Sequence, residues 1–167
     1  MNLYILRHGI AVDHGAPGYA RDSERPLTPK GRRKMAYIVQ AMKAMELSFD
    51  VILSSPFVRA RQTAEIVAAA YRAKRRLAFS DALAVGGDPR QLLEHLRRLD
   101  PALEDVMLVG HEPYLSSLIS LLVSGRPDFT VTLKKGGLCR LEIESLKYGR
   151  CAALAWLLTP AQMELMA

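Results

Sequence analysis

The chain has 167 residues, half of them hydrophobic and about a quarter charged, which is globular composition, far from that of disordered chains and long enough to bury a core without disulfides or metal. Its 23 Lys and Arg against 17 Asp and Glu leave a formal net charge of +6, which points to an anionic partner. The N-terminal apolar run stops at Arg7, and no stretch approaches the roughly 18 uncharged apolar residues of a membrane span, so the secreted and membrane classes are set aside and the cytoplasm is expected.

In chain order, the apolar runs Leu3 to Leu6, Val51 to Leu53 and Val106 to Val109 are short, rich in branched residues and unalternated, as strands buried on both faces should be. Helical spacing follows each of them: Met35, Ile38, Val39 and Met42; then Thr63, Ile66, Val67 and Ala70; then Leu115, Leu118, Ile119 and Leu122. Thr28 before Pro29 marks a helix start, because a threonine oxygen caps free amides and proline at the first helical position gives up no hydrogen bond. "GGDP" at Gly86 to Pro89 and "SGRPD" at Ser124 to Asp128 read as loops. "GGLCRLEI" and "RCAALAWLL" read as two strands around a polar turn at Lys147 to Arg150. Residues 1–167, with no linker or internal repeat, are expected to form a single α/β domain: a three-layer α/β/α fold with a mainly parallel central sheet and an antiparallel C-terminal hairpin. Cys139 and Cys151 have no CxxC spacing and are expected to be free thiols.

The basic runs "YRAKRR" and "GRRK" carry much of the positive charge. They read as solvated helix faces or ends, and without interleaved aromatics or a nucleic-acid motif they argue against a nucleic-acid partner. Ligands of open α/β sheets sit beyond the carboxyl ends of the parallel strands. There the sequence puts Arg7 and His8 after the first run, Arg59 and Arg61 of "SSPFVRARQTA" after the second, and His111 of "VGHEP" after the third. Taken alone, His8 reads as a satisfied core or rim histidine; Arg7 beside it, and the convergence with arginines from separate strands, reverse that in favour of the functional reading. Arginine presents planar, permanently charged donors matched to phosphate oxygens. A histidine held among fixed positive charges stays neutral and keeps a lone pair for attack on phosphorus, while a second can stabilise charge developing on an equatorial oxygen. A metal site fits less well: His8, His14, His95 and His111 have no helical ligand spacing, and neighbouring arginines would repel a cation. No metal and no cofactor are expected.

The triplet Arg7-His8-Gly9, together with "RPLTPKGRRKMA", "ILSSPFVRARQTA" and "VGHEPYL" in that order, resembles the histidine phosphatase superfamily, and within it the SixA-type phosphohistidine phosphatases. The likeness covers most of the first 120 residues, with a weaker trace in "KKGGL" and the terminal hairpin. It implies a phosphoglycerate mutase-like fold, with His8 as the nucleophile that is transiently phosphorylated, Arg7 and Arg59 binding phosphoryl oxygens and His111 completing the pocket. Arg59, not Arg61, matches the motif, three residues after the Ser-Pro pair. Arg25 is a candidate for the pocket mouth, the alternative being a salt bridge at a loop end. Many members of the superfamily supply a general-acid glutamate after the third strand; here that stretch reads "SDALAVGGDP", with Ala84 and Val85 near its place. Asp81, Asp88 and Glu112 are the remaining candidates for an acid. A phosphoimidazole leaving group can carry a proton on its other nitrogen, so the missing glutamate suits a phosphoramidate substrate. The short segment between the second and third parallel strands leaves little material for a lid. The expected activity is metal-independent hydrolysis of phosphohistidine on a protein; the alternatives are a phosphatase for small phosphate esters or anhydrides and a non-catalytic phosphate-binding module. The expected partner is a phosphorylated protein or small phosphorylated substrate, with neither nucleic acid nor membrane.

Overall fold

The computed structural model describes all residues, Met1–Ala167. Eleven elements follow one another: β1 (Asn2–Arg7), α1 (Pro29–Ala44), β2 (Val51–Ser54), α2 (Val58–Ala70), β3 (Leu77–Phe79), α3 (Pro89–Arg97), β4 (Asp105–Gly110), α4 (Tyr114–Ser124), β5 (Leu138–Ile143), β6 (Ala152–Leu158) and α5 (Pro160–Glu164). Single 3₁₀ turns occupy Asp22–Glu24, Lys74–Arg76 and Asp81–Leu83. The six strands form one sheet in the order β3-β2-β4-β1-β5-β6. β1 to β4 run parallel, and β5 and β6 close the sheet as an antiparallel hairpin.

The unalternated strand runs have their explanation in the two faces of this sheet. Leu3, Ile5, Val106 and Leu108 pack against α3 and α4 through Leu92, Leu93, Leu115 and Leu118. Tyr4, Leu6, Met107 and Val109 face the other way and pack against α1 and α2 through Met35, Ile38, Ala64 and Val67. Successive side chains of a strand point to opposite faces, so a strand covered on both sides is apolar at every position. This is the three-layer α/β/α arrangement expected from the sequence.

Thr28 caps α1, its Oγ1 accepting the Gly31 N–H at 2.9 Å with Pro29 in the first helical position. A Cβ at Gly31 would lie 2.0 Å from the Ile10 carbonyl oxygen, and one at Gly9 would lie 2.9 Å from Met35 Cγ. Only glycine lets α1 close against the chain leaving β1, which holds the Arg7–His8 segment over the sheet edge.

Three elements were not read from the sequence. β3 is a three-residue edge strand with two exposed positions, too short to show a pattern. α3 begins inside the "GGDP" stretch: Gly86 and Gly87 form the loop, but the Asp88 carboxylate accepts the Arg90 N–H at 2.8 Å and Pro89 opens the helix. α5 is a single capped turn that docks on α1, where Lys34 and Glu164 pair at 2.8 Å. The two basic runs lie mainly on the surface, Lys74–Arg76 as an exposed 3₁₀ turn. Cys139 is buried in β5, Cys151 is half-buried, and both are free. No helix is long and apolar enough to cross a membrane.

Candidate active site

The strand register brings separate parts of the chain to one edge. Arg7 lies opposite Gly110, and Ser54 opposite Val109. The ladder then continues one residue beyond the strands: His8 N–H donates to the Gly110 carbonyl at 3.0 Å and Ser55 N–H to that of Val109 at 2.9 Å. His8, Ser55 and His111 therefore leave the carboxyl ends of β1, β2 and β4 together, at the edge where open α/β sheets bind ligands.

His8 is 6% exposed and its Nδ1 lies 2.7 Å from the Gly9 carbonyl oxygen. A carbonyl only accepts, so Nδ1 carries the ring proton and Nε2 keeps its lone pair. Arg59, on the first turn of α2 and 3% exposed, donates to that Nε2 from its Nε at 3.2 Å. The His8 and His111 rings stand 5.1 Å apart. Nε2 of His111 lies 2.8 Å from Ser55 Oγ, while its Nδ1 is buried without a partner. Arg7 donates from Nη1 to the Leu133 carbonyl at 2.9 Å, and its Nε is likewise buried and unpaired. The "KKGGL" segment wraps this end of β1, with Gly136 N–H donating to the carbonyls of Arg7 and His8 at 3.0 and 3.1 Å. An unpaired buried donor such as Arg7 Nε is rare in native proteins, and beside two buried histidines and Arg59 it suits an anionic, oxygen-rich ligand.

Asp22 joins this cluster and was not singled out from the sequence. Its Oδ2 accepts from Arg59 Nη2 at 2.8 Å and its carbonyl from Arg59 Nη1 at 2.7 Å, while its Oδ1 accepts from Arg25 Nη2 at 2.6 Å. Arg25 thus makes the salt bridge of the alternative reading, and through Asp22 it also stands next to Arg59. Burial opposes ionisation of Asp22, but hydrogen bonds from Arg25 and Arg59 outweigh it and hold the carboxyl below its ordinary value. The only sequence signal was the Asp-x-x-Arg spacing, common on any surface turn. Arg61 points away, pairing with Glu65 at 3.7 Å on the exposed side of α2.

Both imidazoles are pulled down to about 3. For His8 burial is the largest cause, opposed by the Gly9 carbonyl and reinforced by His111, Arg59 and Arg7. For His111 burial again leads, with Arg59, Arg25 and Arg7 adding to it and Asp22 opposing. The sequence attributed neutrality to the arginines; in the structure desolvation comes first. The unfolded chain takes up protons on these histidines near pH 6.5, whereas the folded chain does not until about pH 3. Stability is therefore full above pH 6.5 and is lost as pH falls through that window, with protonation of Asp22 acting in the same direction at the acid end. The urea midpoint should drop between pH 7.5 and 4 by the equivalent of a few kcal/mol. A flat midpoint across that range would contradict the buried, neutral pair.

Of the three candidate acids, Asp88 is engaged as the cap of α3, and Asp81 is exposed in a groove with Glu94, His95 and Arg98. Glu112 is half-buried beside His111. His14 is exposed in the loop after β1, and no three His, Cys, Asp or Glu side chains gather as a metal-binding group.

The profile of the histidine phosphatase superfamily (branch 1) matches residues 3–84. The phosphohistidine phosphatase SixA of Escherichia coli K12 is 30% identical over 146 residues, covering 82% of this chain and 88% of its own. An uncharacterised protein of Picosynechococcus is 39% identical over 142 residues, or 84% of each chain. The solved structure of the protein histidine phosphatase SixA complexed with tungstate superposes with a TM-score of 0.80 at 26% identity, over 96% of this chain and 98% of that one. The chain belongs to the histidine phosphatase superfamily and is, within it, a phosphatase of the SixA type.

Proposed function

We propose that the protein hydrolyses phosphohistidine on a partner protein, without metal, through a phosphorylated His8. The observation that carries this reading is the 2.7 Å bond from His8 Nδ1 to the Gly9 carbonyl, which leaves an unprotonated Nε2 among Arg59, Arg7 and His111. In the first step the Nε2 lone pair forms a bond to phosphorus, and the bond from phosphorus to the substrate nitrogen breaks with its electron pair on that nitrogen. Arg7, Arg59 and His111 hold the equatorial oxygens as charge redistributes over them, so the protein's own donors stabilise the transition state. Water then attacks phosphorus, the Nε2–P pair returns to His8, and both water protons leave with the phosphate. The Gly9 carbonyl keeps Nδ1–H in place throughout, so His8 needs no proton from solvent to be restored.

The substrate class follows from the leaving group. Ala84 and Val85 bring no carboxyl to the region after β3, and Asp81 and Asp88 are directed elsewhere. An alkoxide leaves poorly without a proton donor, whereas a phosphoimidazole leaves as neutral imidazole with its own ring proton. The tungstate carried by the solved SixA is a tetrahedral oxyanion, the kind of ligand this cluster suits. The test is kcat/KM for a phosphohistidine peptide against glycerol phosphate, in the presence of chelator. The expected preference is at least about a hundredfold for the peptide, with no loss to the chelator. Equal turnover of the alkyl ester would overturn the substrate class. Activity abolished by chelator and restored by zinc or magnesium would overturn the mechanism.

A further inference from the structure

Within the phosphoryl cluster Arg59 needs the closest aim, because a guanidinium is planar and offers its five N–H donors in a fixed fork. Three of them are in use in the folded chain. One from each terminal nitrogen goes to Asp22, from Nη1 to its main-chain carbonyl at 2.7 Å and from Nη2 to its Oδ2 at 2.8 Å. A single residue therefore closes the end of the fork, and the edge that carries Nε–H is turned to His8 Nε2 at 3.2 Å. Asp22 sits on the outer side of the guanidinium, its side chain 32% exposed against 4% for Arg59. Asp22 is itself braced. Arg25 donates to its Oδ1 from Nε at 2.9 Å and from Nη2 at 2.6 Å, while Arg25 Nη1 donates to the Val12 carbonyl at 2.5 Å. The chain around this turn is tied to its neighbours as well: Val12 N–H donates to the Pro26 carbonyl at 2.9 Å, Ala11 bridges Leu27, and Leu27 N–H donates to Gln62 Oε1 on α2 at 2.8 Å. An isolated surface salt bridge contributes little to stability. A carboxylate that holds two guanidiniums, on a turn fixed to the helix that carries one of them, instead sets a direction.

We infer that Asp22, braced by Arg25, is the positioning residue of Arg59: it holds the guanidinium by its far end, so that the Nε edge faces a phosphoryl group at His8. The inference rests on the proposed function, which seats the phosphoryl group beside His8, and it adds the residue that aims the clamp. In this role Asp22 acts only through Arg59. Its carboxylate lies one guanidinium away from the bound anion, so it weakens phosphate binding by repulsion while it lowers the barrier by alignment.

Two effects that part company follow for Asp22→Ala. Its kcat should fall about tenfold to a hundredfold, because misaligned donors stabilise the transition state less. Inorganic phosphate, followed by titration, should bind as tightly as to the wild type or more tightly, because a negative charge has gone. Arg59→Ala weakens both, and a merely destabilised chain would lose both together with its melting temperature. Asp22→Asn keeps an accepting oxygen for Arg59 Nη2 and should recover part of kcat; it also takes the place of alanine if Asp22→Ala does not fold. The deciding measurement is the double-mutant cycle of Asp22→Ala with Arg59→Ala, run on a phosphohistidine peptide and on an aryl phosphate. With Arg59 already alanine, removing Asp22 should change kcat by less than about twofold. An unchanged kcat in Asp22→Ala, an equal loss with and without Arg59, or phosphate binding weakened as in Arg59→Ala would overturn the assignment while leaving the proposed function standing. A wild-type protein that turns over the aryl phosphate but not the peptide would overturn the proposed substrate, and the cycle on the aryl phosphate would still decide the role of Asp22. Turnover of neither would overturn both.

Discussion

Replacing His8 by alanine is expected to lower phosphatase turnover by at least about 10⁴-fold and to remove the phosphoenzyme with it. No other side chain at the site offers an equivalent lone pair. His111 has its Nε2 against Ser55 Oγ, and the arginines are cations. Asp22 is held by Arg25 and Arg59, and Glu112, with one oxygen on Ser116 and the other buried, has no free accessible oxygen to offer phosphorus. The variant should still fold, because the segment is held by main-chain bonds on both sides, from His8 N to Gly110 and from Gly136 N to the Arg7 and His8 carbonyls. Its melting temperature is the control. A folded His8→Ala protein that retained more than about a hundredth of wild-type kcat/KM would mean that another group attacks phosphorus.

Arg59→Ala should cost about 10²- to 10³-fold in kcat/KM, through both kcat and KM, because in the proposed mechanism the guanidinium meets phosphoryl oxygens in the ground state and more strongly in the transition state. Its present bonds show how the side chain is aimed: Nε toward His8 Nε2, both terminal nitrogens toward Asp22. Arg59→Lys should recover little of the loss, because a point charge does not reproduce a planar guanidinium whose terminal nitrogens are both held by Asp22 while its Nε faces His8 Nε2. Asp22 keeps Arg25 in either variant, so no carboxylate is left buried without a cation. Binding of inorganic phosphate, followed by titration, should weaken in parallel. A loss below tenfold in Arg59→Ala would place the phosphate elsewhere than beside His8.

The residues that speak from the sequence are those whose chemistry is unusual for their place. An arginine and a histidine closing an apolar run, and a second histidine closing another, stand out because strands buried on both faces should carry no charge. The same reasoning read α1 from Thr28-Pro29, and applied to Asp88-Pro89 it would have read α3; the preceding Gly-Gly pair masked that start. Asp22 left no such mark, since its role comes only from folding a 3₁₀ turn back over α2, a contact separated by 37 residues in the chain. The unpaired oxygen of Glu112 is also invisible in sequence, because "GHEP" gives the residue but not its burial. The neutrality of His8 and His111 was legible as a result and not as a cause. Positive neighbours can be read from a sequence, whereas desolvation, which contributes most, exists only once two faces of a sheet are covered.

The most direct test of the account is where the phosphoryl group rests between substrate and water. The wild-type protein, mixed for milliseconds with a phosphohistidine peptide carrying labelled phosphate and quenched in alkali, should hold label on one peptide, Asn2–Arg7 extended through His8, as phosphohistidine that is stable to base and lost in acid. The His8→Ala protein under the same quench should hold none. Label on serine, aspartate or cysteine, or label on histidine that persists in His8→Ala, would contradict phosphoryl transfer through His8.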